Sequence, residues 1–546
     1  MNRNIYYIAA LALTGAIGFS CSDTLEEHPA SYIATEDVFE SAEKAQMALN
    51  GVYASLAQEE HMGCDEIPMP SSDDMYYANG TNSDGAWRDI SHYASTSTNT
   101  WLQLVWQYKY IGINRANHVI ANVRLMDEYG SDDTKRIEGE ALFLRALLNY
   151  DLLRYWGSVP LKTEYTDSYE NAYKGRSSAD EIYDQIIADL NAAKGLLKWV
   201  DEGVSPERGS QGAARALLMR VYLQRAGYRL DSETGAFVRP DDATRQGYWA
   251  EVINEYNQIK NHHSLYASYE QYWKNFNEEI IDGQESIYEI AFHTPDGNKG
   301  GAGRYGVFIG PSHTDDYASG GPGRANGNMR VLPEWTTYYS DDRQAVNIVN
   351  SSGYFPGKWR RDWIGHDRYT GNINNTNVNF SFLRYADVVL MAAEAYAETD
   401  QIQQSIELLN QVRSRAHADE LATDFSNFDD IYRKSTSKRA EEQMDISGFT
   451  NVEGLTEYDG ATDKSRMRVA LFWERGFELC YEMTRKYDLI RWGITEAAIQ
   501  KHATSKNQKG YNALRNFTPG KHELFPIPLV ELQQNTELGG KNNPGY

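Results

Sequence analysis

Two stretches carry regularly spaced ionisable side chains: Arg384, Asp387 and Glu394, then Arg475, Glu478, Arg485, Asp488 and Arg491. Paired carboxylates are the working groups of glycoside hydrolysis, one as acid and one as base or nucleophile. Here each candidate acid has an arginine close by in sequence to neutralise it. The charges also recur too regularly to serve an exposed helix face alone. The expectation is therefore internal ion-pair networks joining the two stretches, with no catalytic residue assigned. A surface glycoside hydrolase stands as the rival reading from another class.

Other motifs carry less chemistry than their letters suggest. Gly301-Ala302-Gly303-Arg304-Tyr305-Gly306 matches the dinucleotide fingerprint, but Val307 to Pro311 is no helix start to hold a pyrophosphate. His262 and His263 adjoin, so they point apart on a helix and cannot share a metal. The chain has no His-Glu-x-x-His and no Gly-x-Ser-x-Gly. No cofactor or resident metal is expected, although Asp73-Asp74 or Asp315-Asp316 could hold an incidental calcium. Cys64 and Cys480 form no disulfide framework or metal spacing; both read as inert, with Cys64 in a loop-like context and the more exposed.

Helical periodicity supplies the frame for these residues. Ile137, Ala141, Leu144, Leu148, Leu152 and Tyr155 recur at steps of three and four. Ser178-Ala179-Asp180-Glu181 is a capping box ahead of Ile182, Ile186 and Leu190. Further helices are expected over Ala42 to Leu56, Trp101 to Leu125, through Ala213, Leu217 and Val221, through Trp249, Ile253 and Tyr256, over Tyr385 to Glu398 and over Gln404 to Ala416. Small residues (Ala213, Ala214, Ala216; Ala392, Ala393, Ala395) sit where paired helices would approach closely.

This predicts a mostly α fold: a degenerate tetratricopeptide-like helical-repeat scaffold with long irregular loop insertions and a few short strands. The insertions are Gln58 to Asn99, Tyr266 to Phe380 and Asp419 to Met467. Ser286 to Phe292 alternates like a short strand, and Asp296 to Arg330 reads as a glycine-rich surface loop. Trp106, Trp249, Trp273 and Trp492 fall within helical periodicity and are assigned to the core. A stacked scaffold displaying irregular insertions is a binding architecture before it is a catalytic one.

The net charge of −24, with acids spread along the chain, excludes a nucleic-acid footprint and charge-driven attachment to anionic lipid. Met1 to Ser20 reads as a signal peptide, with an apolar run from Ile5 to Ile17 too short to span a bilayer. Ser20 precedes Cys21 as lipoprotein processing requires, and lipidation of Cys21 is expected; ordinary cleavage near Ser20 is the alternative. Thirty-eight tyrosines and 12 tryptophans supply rigid rings with polar handles, although packing between helices accounts for most of them. The terminus, Phe525-Pro526-Ile527-Pro528 through Asn542-Asn543-Pro544-Gly545-Tyr546, is stiffened by proline and expected to dock on the body.

Five blocks in order resemble the SusD/RagB family of outer-membrane nutrient-binding lipoproteins. They are the Cys21 opening with Leu25-Glu26-Glu27 and Pro29; Arg136 to Ala146 ending in Gly157-Ser158-Val159-Pro160; Leu383 to Ala395; Glu474 to Leu479 with Arg485 and Asp488 to Gly493; and the tail. Glu482-Met483 departs from the family's usual Glu-Gly. The resemblance implies a SusD-like α/α fold with an N-terminal region over 21–240 intertwined with a C-terminal region over 241–546.

It also implies a cell-surface, lipid-anchored protein that captures oligosaccharide without catalysis and delivers it to a SusC-like TonB-dependent barrel transporter. A peptide-binding RagB-like receptor is the alternative within that family. Polar and aromatic side chains interleave, as sugar recognition needs, at Asp73, Asp74, Tyr76 and Tyr77 with Trp87 and Arg88, and again at Tyr305, Trp359, Arg361 and Trp363. Each ring can equally serve as a plug that anchors its own loop.

Overall fold

Capping residues set where the helices begin. α1 (Ala42–Leu56) opens on Ser41, α2 (Thr100–Val123) on Asn99 and α3 (Asp132–Trp156) on Ser131. α4 (Ala179–Leu196) opens on the reciprocal Ser178–Glu181 box, α5 (Gln211–Ala226) on Ser210 and α6 (Asp242–Ile259) on Asp241. In each case a side-chain oxygen accepts an N–H group that the first turn leaves orphaned. α7 (Tyr269–Asn277), α8 (Tyr385–Glu398), α9 (Ile402–Arg415), α10 (Asp463–Leu479) and α11 (Arg485–Arg491) complete the frame. This computed structural model describes residues 38–58, 60–64, 72–78, 83–293, 301, 303–314, 323–364, 375–435, 437–502 and 516–546. The signal region, Cys21 and Asp315-Asp316 lie outside the described residues.

The helices stack in succession. α1 packs on α2 and α3, α2 on α3, α3 on α4, α4 on α5, and α5 on α6; α6 meets α8, and α8 and α9 both meet α10. Small residues permit the close approaches: all six alanines at the predicted positions are fully buried. At Gly112 an added Cβ would lie 2.5 Å from Ser55 Oγ of α1 and 2.6 Å from Leu148 of α3, so the crossing of three helices requires glycine there. From Ile137 onward α3 is buried on every side, as a central helix must be. Its polar residues are paired: Asp151 with Lys109 at 3.0 Å, and Arg145 with Asp189 at 2.6 Å.

Four short strands pin the insertions to this frame. β1 (Met75–Tyr77) pairs antiparallel with β3 (Met329–Val331), Met75 opposite Val331. β2 (Ser286–Ile290) pairs antiparallel with β4 (Phe380–Arg384), Ile290 opposite Phe380. All five residues of β2 are buried, so the alternation read in the sequence does not separate a wet face from a dry one. Trp106, Trp249 and Trp273 are core residues, while Trp492 is only half-buried. Cys64 and Cys480 are both buried, so Cys64 is not the exposed member. Burial pushes the Cys480 thiol up to about 11.

The C-terminal tail docks on α3. Phe525 N–H donates to Tyr155 O at 2.8 Å, and Trp156 Nε1 donates to Pro526 O at 3.0 Å. Asn543 Nδ2 bridges Trp156 O (3.0 Å) and Phe525 O (2.7 Å), and Ile527 is fully buried. Among the described residues no helix is long and apolar enough to cross a membrane.

Candidate functional site

The two charged stretches meet beneath the insertions. Arg384, at the β4–α8 junction, donates to Glu285 (2.9 Å), Glu478 (2.7 Å) and Glu482 (2.6 Å). Arg343 reaches Glu474 at 3.0 Å, and Arg415 bonds Glu285 at 3.0 Å and also Glu478. Arg475 joins Asp387 (2.9 Å) to Asp488 (2.8 Å), and Arg491 joins Asp488 (2.8 Å) to Glu394 (2.7 Å). Burial alone would raise these carboxyl pKa values. Instead Arg415, Arg384 and Arg343 hold Glu478 well below the carboxylate range, and Arg220 and Arg475 bring Asp387 to about 2. An acid that must exchange protons near neutral pH needs a pKa near that pH, so Glu478 and Asp387 are locked as structural anions.

Most of the ring-and-acid candidates are part of this body. Arg485 grips Asp73 through two bonds of 2.7 Å, Nε to Oδ1 and Nη2 to Oδ2. Ser72 Oγ donates to Asp74 at 2.8 Å, and burial with the adjacent Asp73 charge pushes the Asp74 carboxyl up to about 6. Tyr76 and Tyr77 are buried in β1, where Tyr77 O lies 2.9 Å from His92 Nε2. Tyr305 stacks on Phe380 with ring centroids 5.1 Å apart and donates its hydroxyl to Met62 O at 2.9 Å. Trp359 stands edge-on to Trp273 at 5.3 Å, and Arg361 Nη1 reaches Asn375 O at 3.3 Å. Asp73, Asp74, Tyr76, Tyr77, Tyr305, Trp359 and Arg361 are all buried and present little surface. They anchor their insertions to the frame.

Trp87, Arg88 and Trp363 are only partly covered. Trp87 sits edge-on to Trp101 (4.7 Å) and Phe308 (4.9 Å), and the Arg304 guanidinium lies 4.5 Å from the Phe308 ring. Trp363 lies under Arg360 at 4.4 Å. Arg360 also bonds Asp362 at 2.6 Å, with His313 3.7 Å from the same carboxylate. Burial opposes ionisation of Asp362, but the nearby His313 ring and the Arg360 guanidinium prevail and hold its pKa below the carboxylate range. The segments 303–310 and 359–364 run backbone against backbone: a Cβ on Gly310, whose φ is +117°, would lie 2.2 Å from Trp359 O. The loops therefore carry a band of two partly exposed patches, Trp87 with Arg304 and Trp363 with Arg360.

Arg304, Arg360, Asp362 and His313 were not singled out by the sequence. No sequence signal marked them: Arg361–Trp363 form a single 3-10 turn that puts Arg361 inside and Asp362 outside. The Gly301–Gly306 letters lead into no helix, since residues 303–314 contain none. His262 stacks on Trp199 at 3.7 Å while His263 Nδ1 lies 2.9 Å from Gly283 O, so the two rings part as expected. Among the described residues no three His, Cys, Asp or Glu side chains gather as a metal site would need.

Comparison with known proteins agrees with this architecture. Residues 335–546 match the model described as the SusD family, and residues 23–223 match one described as starch-binding associating with outer membrane. SusD-like protein P25 of Formosa agariphila is 24% identical, with 97% of each chain covered. A SusD homolog from Bacteroides thetaiotaomicron superposes with a TM-score of 0.76 at 24% identity, over 94% of this chain and 98% of that one. A laminarin-binding SusD-like protein superposes with a TM-score of 0.67 at 23% identity, over 92% and 99% of the two chains. With the five sequence blocks, the helical stack and these matches in agreement, the chain belongs to the SusD/RagB family.

Proposed function

We propose that this protein is a non-catalytic receptor that captures oligosaccharide at the cell surface. It is held to the outer membrane by a lipid on Cys21 and passes its ligand to a SusC-type TonB-dependent barrel transporter. The observation that carries the ligand class is the band containing Trp87 and Trp363, partly exposed rings flanked by Arg304, Arg360 and Asp362. Apolar C–H faces of a sugar stack on such rings while guanidinium and carboxylate groups bond its hydroxyls. The laminarin-binding neighbour supports the same class. Glu478 and Asp387, held as anions by their arginines, are unsuited to act as the acid of a hydrolase.

Magnitudes favour weak capture. One ring covering on the order of 60 Å² of apolar sugar surface contributes about 1.5 kcal/mol. Two such rings, after the cost of association, leave an affinity that depends on repeated sugar units. Affinity electrophoresis against a polysaccharide panel tests the reading, with Trp87→Ala and Trp363→Ala run beside the wild type. Unchanged mobility of both variants in a glycan that retards the wild type overturns this site. For delivery and anchoring, pull-down from native membranes should recover a barrel transporter, and Cys21→Ala should abolish incorporation of labelled palmitate.

A further inference from the structure

A cleft of about 410 Å³ opens between α2, the segment after α3 and the C-terminal tail, lined by Trp106, Tyr110, Asn114, Lys162, Tyr173 and Glu531 among others. It lies on different residues from the Trp87–Trp363 band. Its size falls in the range of small-ligand sites. Three segments far apart in sequence are fixed around it. Tyr110 Oη donates to Pro160 O at 2.9 Å, Asn114 Oδ1 accepts Thr166 N–H at 2.7 Å, and Asn535 Nδ2 bonds Lys174 O (2.9 Å) and Glu531 Oε1 (3.2 Å). Walls tied down in this way need little ordering on binding.

The lining chemistry points to one class of ligand. Tyr110, Tyr173 and Ile111 offer apolar surface, and Tyr169, 79% exposed, stands edge-on to Tyr173 at 5.8 Å and extends that wall. Lys162 spends its ammonium on Asn171 O at 2.7 Å and on Ala172 O, and Arg115 Nη1 donates to Gly51 O at 2.7 Å. Several lining groups keep capacity to spare among the described residues, among them the Gln107 amide, the Asn114 Nδ2, the Glu531 Oε2 and the Asn535 Oδ1. An anion would meet the Glu531 carboxylate. A wholly apolar guest would strip that carboxylate of water without a bond in return. A neutral ring bearing hydroxyls satisfies all of them, because each hydroxyl both donates and accepts.

We propose that this cleft is a second saccharide site, taking a single neutral sugar unit independently of the loop-borne band. The proposal rests on the glycan-binding reading for its ligand class. The test is saturation-transfer NMR with methyl glycosides of glucose, galactose, mannose and xylose as probes. Four proteins are compared: the wild type, Trp87→Ala/Trp363→Ala, Tyr173→Ala, and Gln107→Ala/Glu531→Gln. The last pair alters polar groups that hold up no core, so loss of fold does not cloud its result.

At least one glycoside is expected to give transfer on the wild type, to keep it in the band variant, and to weaken by roughly fivefold in both cleft variants. Transfer that survives unchanged in the cleft variants overturns the second site. So does an absence of transfer from any glycoside when a polysaccharide still retards the wild type, and in either case the glycan reading stands. Failure of both probes on the wild type overturns the glycan reading and the cleft with it.

Discussion

Arg485 holds Asp73 in a two-bond ion pair across 412 residues of sequence, with both side chains buried. The pair ties the first insertion to α11, and Trp335 Nε1 caps the same turn by donating to Asp73 O at 2.6 Å. Asp73→Asn would leave the Arg485 guanidinium buried without its counter-charge. Breaking a buried pair from one side costs about 3–5 kcal/mol. Denaturant unfolding should show a loss of that order, while polysaccharide retardation of the folded variant stays at the wild-type level. Lost retardation in a variant of unchanged stability would instead make Asp73 a ligand residue.

Arg384 is a harder case, because three carboxylates converge on it. Its planar fork serves Glu285, Glu478 and Glu482 at once, and an ammonium on a flexible stem cannot reproduce that geometry. Arg384→Lys is therefore expected to lose about 3 kcal/mol or more, although it conserves charge. Equal midpoints for the lysine variant and the wild type in urea would show that charge alone suffices.

How much of this was legible in the sequence follows from which forces set each feature. The helices at Ala42–Leu56 and Tyr385–Glu398 have the bounds read from periodicity, because an apolar stripe and its flanking residues are local properties. The ion-pair network was legible too, since regular charge inside apolar helices has few other uses. The Trp87–Trp363 band was legible only in part, since its rings were picked out together with buried ones. Trp359 and Trp363 have the same letter four residues apart, yet one is fully buried and the other half-covered, a difference decided by what packs on the loop. The cleft at Tyr110, Lys162 and Glu531 left no trace at all, because its walls come from three distant segments.

Glu289 gives the fold a pH dependence with a definite sign. It is buried beside Asn379, whose Nδ2 donates to it at 2.8 Å, and burial pushes its carboxyl from 4.5 up to about 7. Its folded pKa exceeds its unfolded one, so its contribution is fully present below pH 4.5 and is lost as pH rises through about 7. The shift corresponds to roughly 3 kcal/mol. Glu289→Gln removes the titration, so the variant should match the wild type near pH 4 and exceed it at pH 8. Thermal melts at the two pH values check this, and a parallel pair of profiles would place the dependence elsewhere.

Tail docking predicts a local cost at Asn543. Its Nδ2 is shared between Trp156 O and Phe525 O, and Arg176 donates to its Oδ1 at 2.8 Å. Asn543→Ala strands two buried carbonyls, each worth about 1–3 kcal/mol when left without a donor. Hydrogen exchange at Phe525 and Ile527, whose N–H groups bond Tyr155 O and Asn542 Oδ1, should accelerate ahead of exchange in α3. Uniform acceleration across both would mean that the tail and α3 open as one unit.

Met483 occupies the place where the family usually has glycine, and it keeps the glycine-type backbone, with φ at +65°. A methionine thus stands in a left-handed conformation that favours glycine. Relief of that strain would favour Met483→Gly by about 1 kcal/mol. Against this, the Met483 side chain is 3% exposed, and its sulfur takes a bond from Arg154 Nη2 at 3.2 Å. Deleting a buried methionine side chain costs about 2–5 kcal/mol, so packing wins and the variant should be net destabilised by about 1–4 kcal/mol. Urea midpoints of Met483→Gly and Met483→Leu separate the two effects: the leucine keeps the volume and the strain and should lie close to the wild type. A glycine variant more stable than the wild type would show that the strained turn, and not the packing under Arg154, dominates at this site.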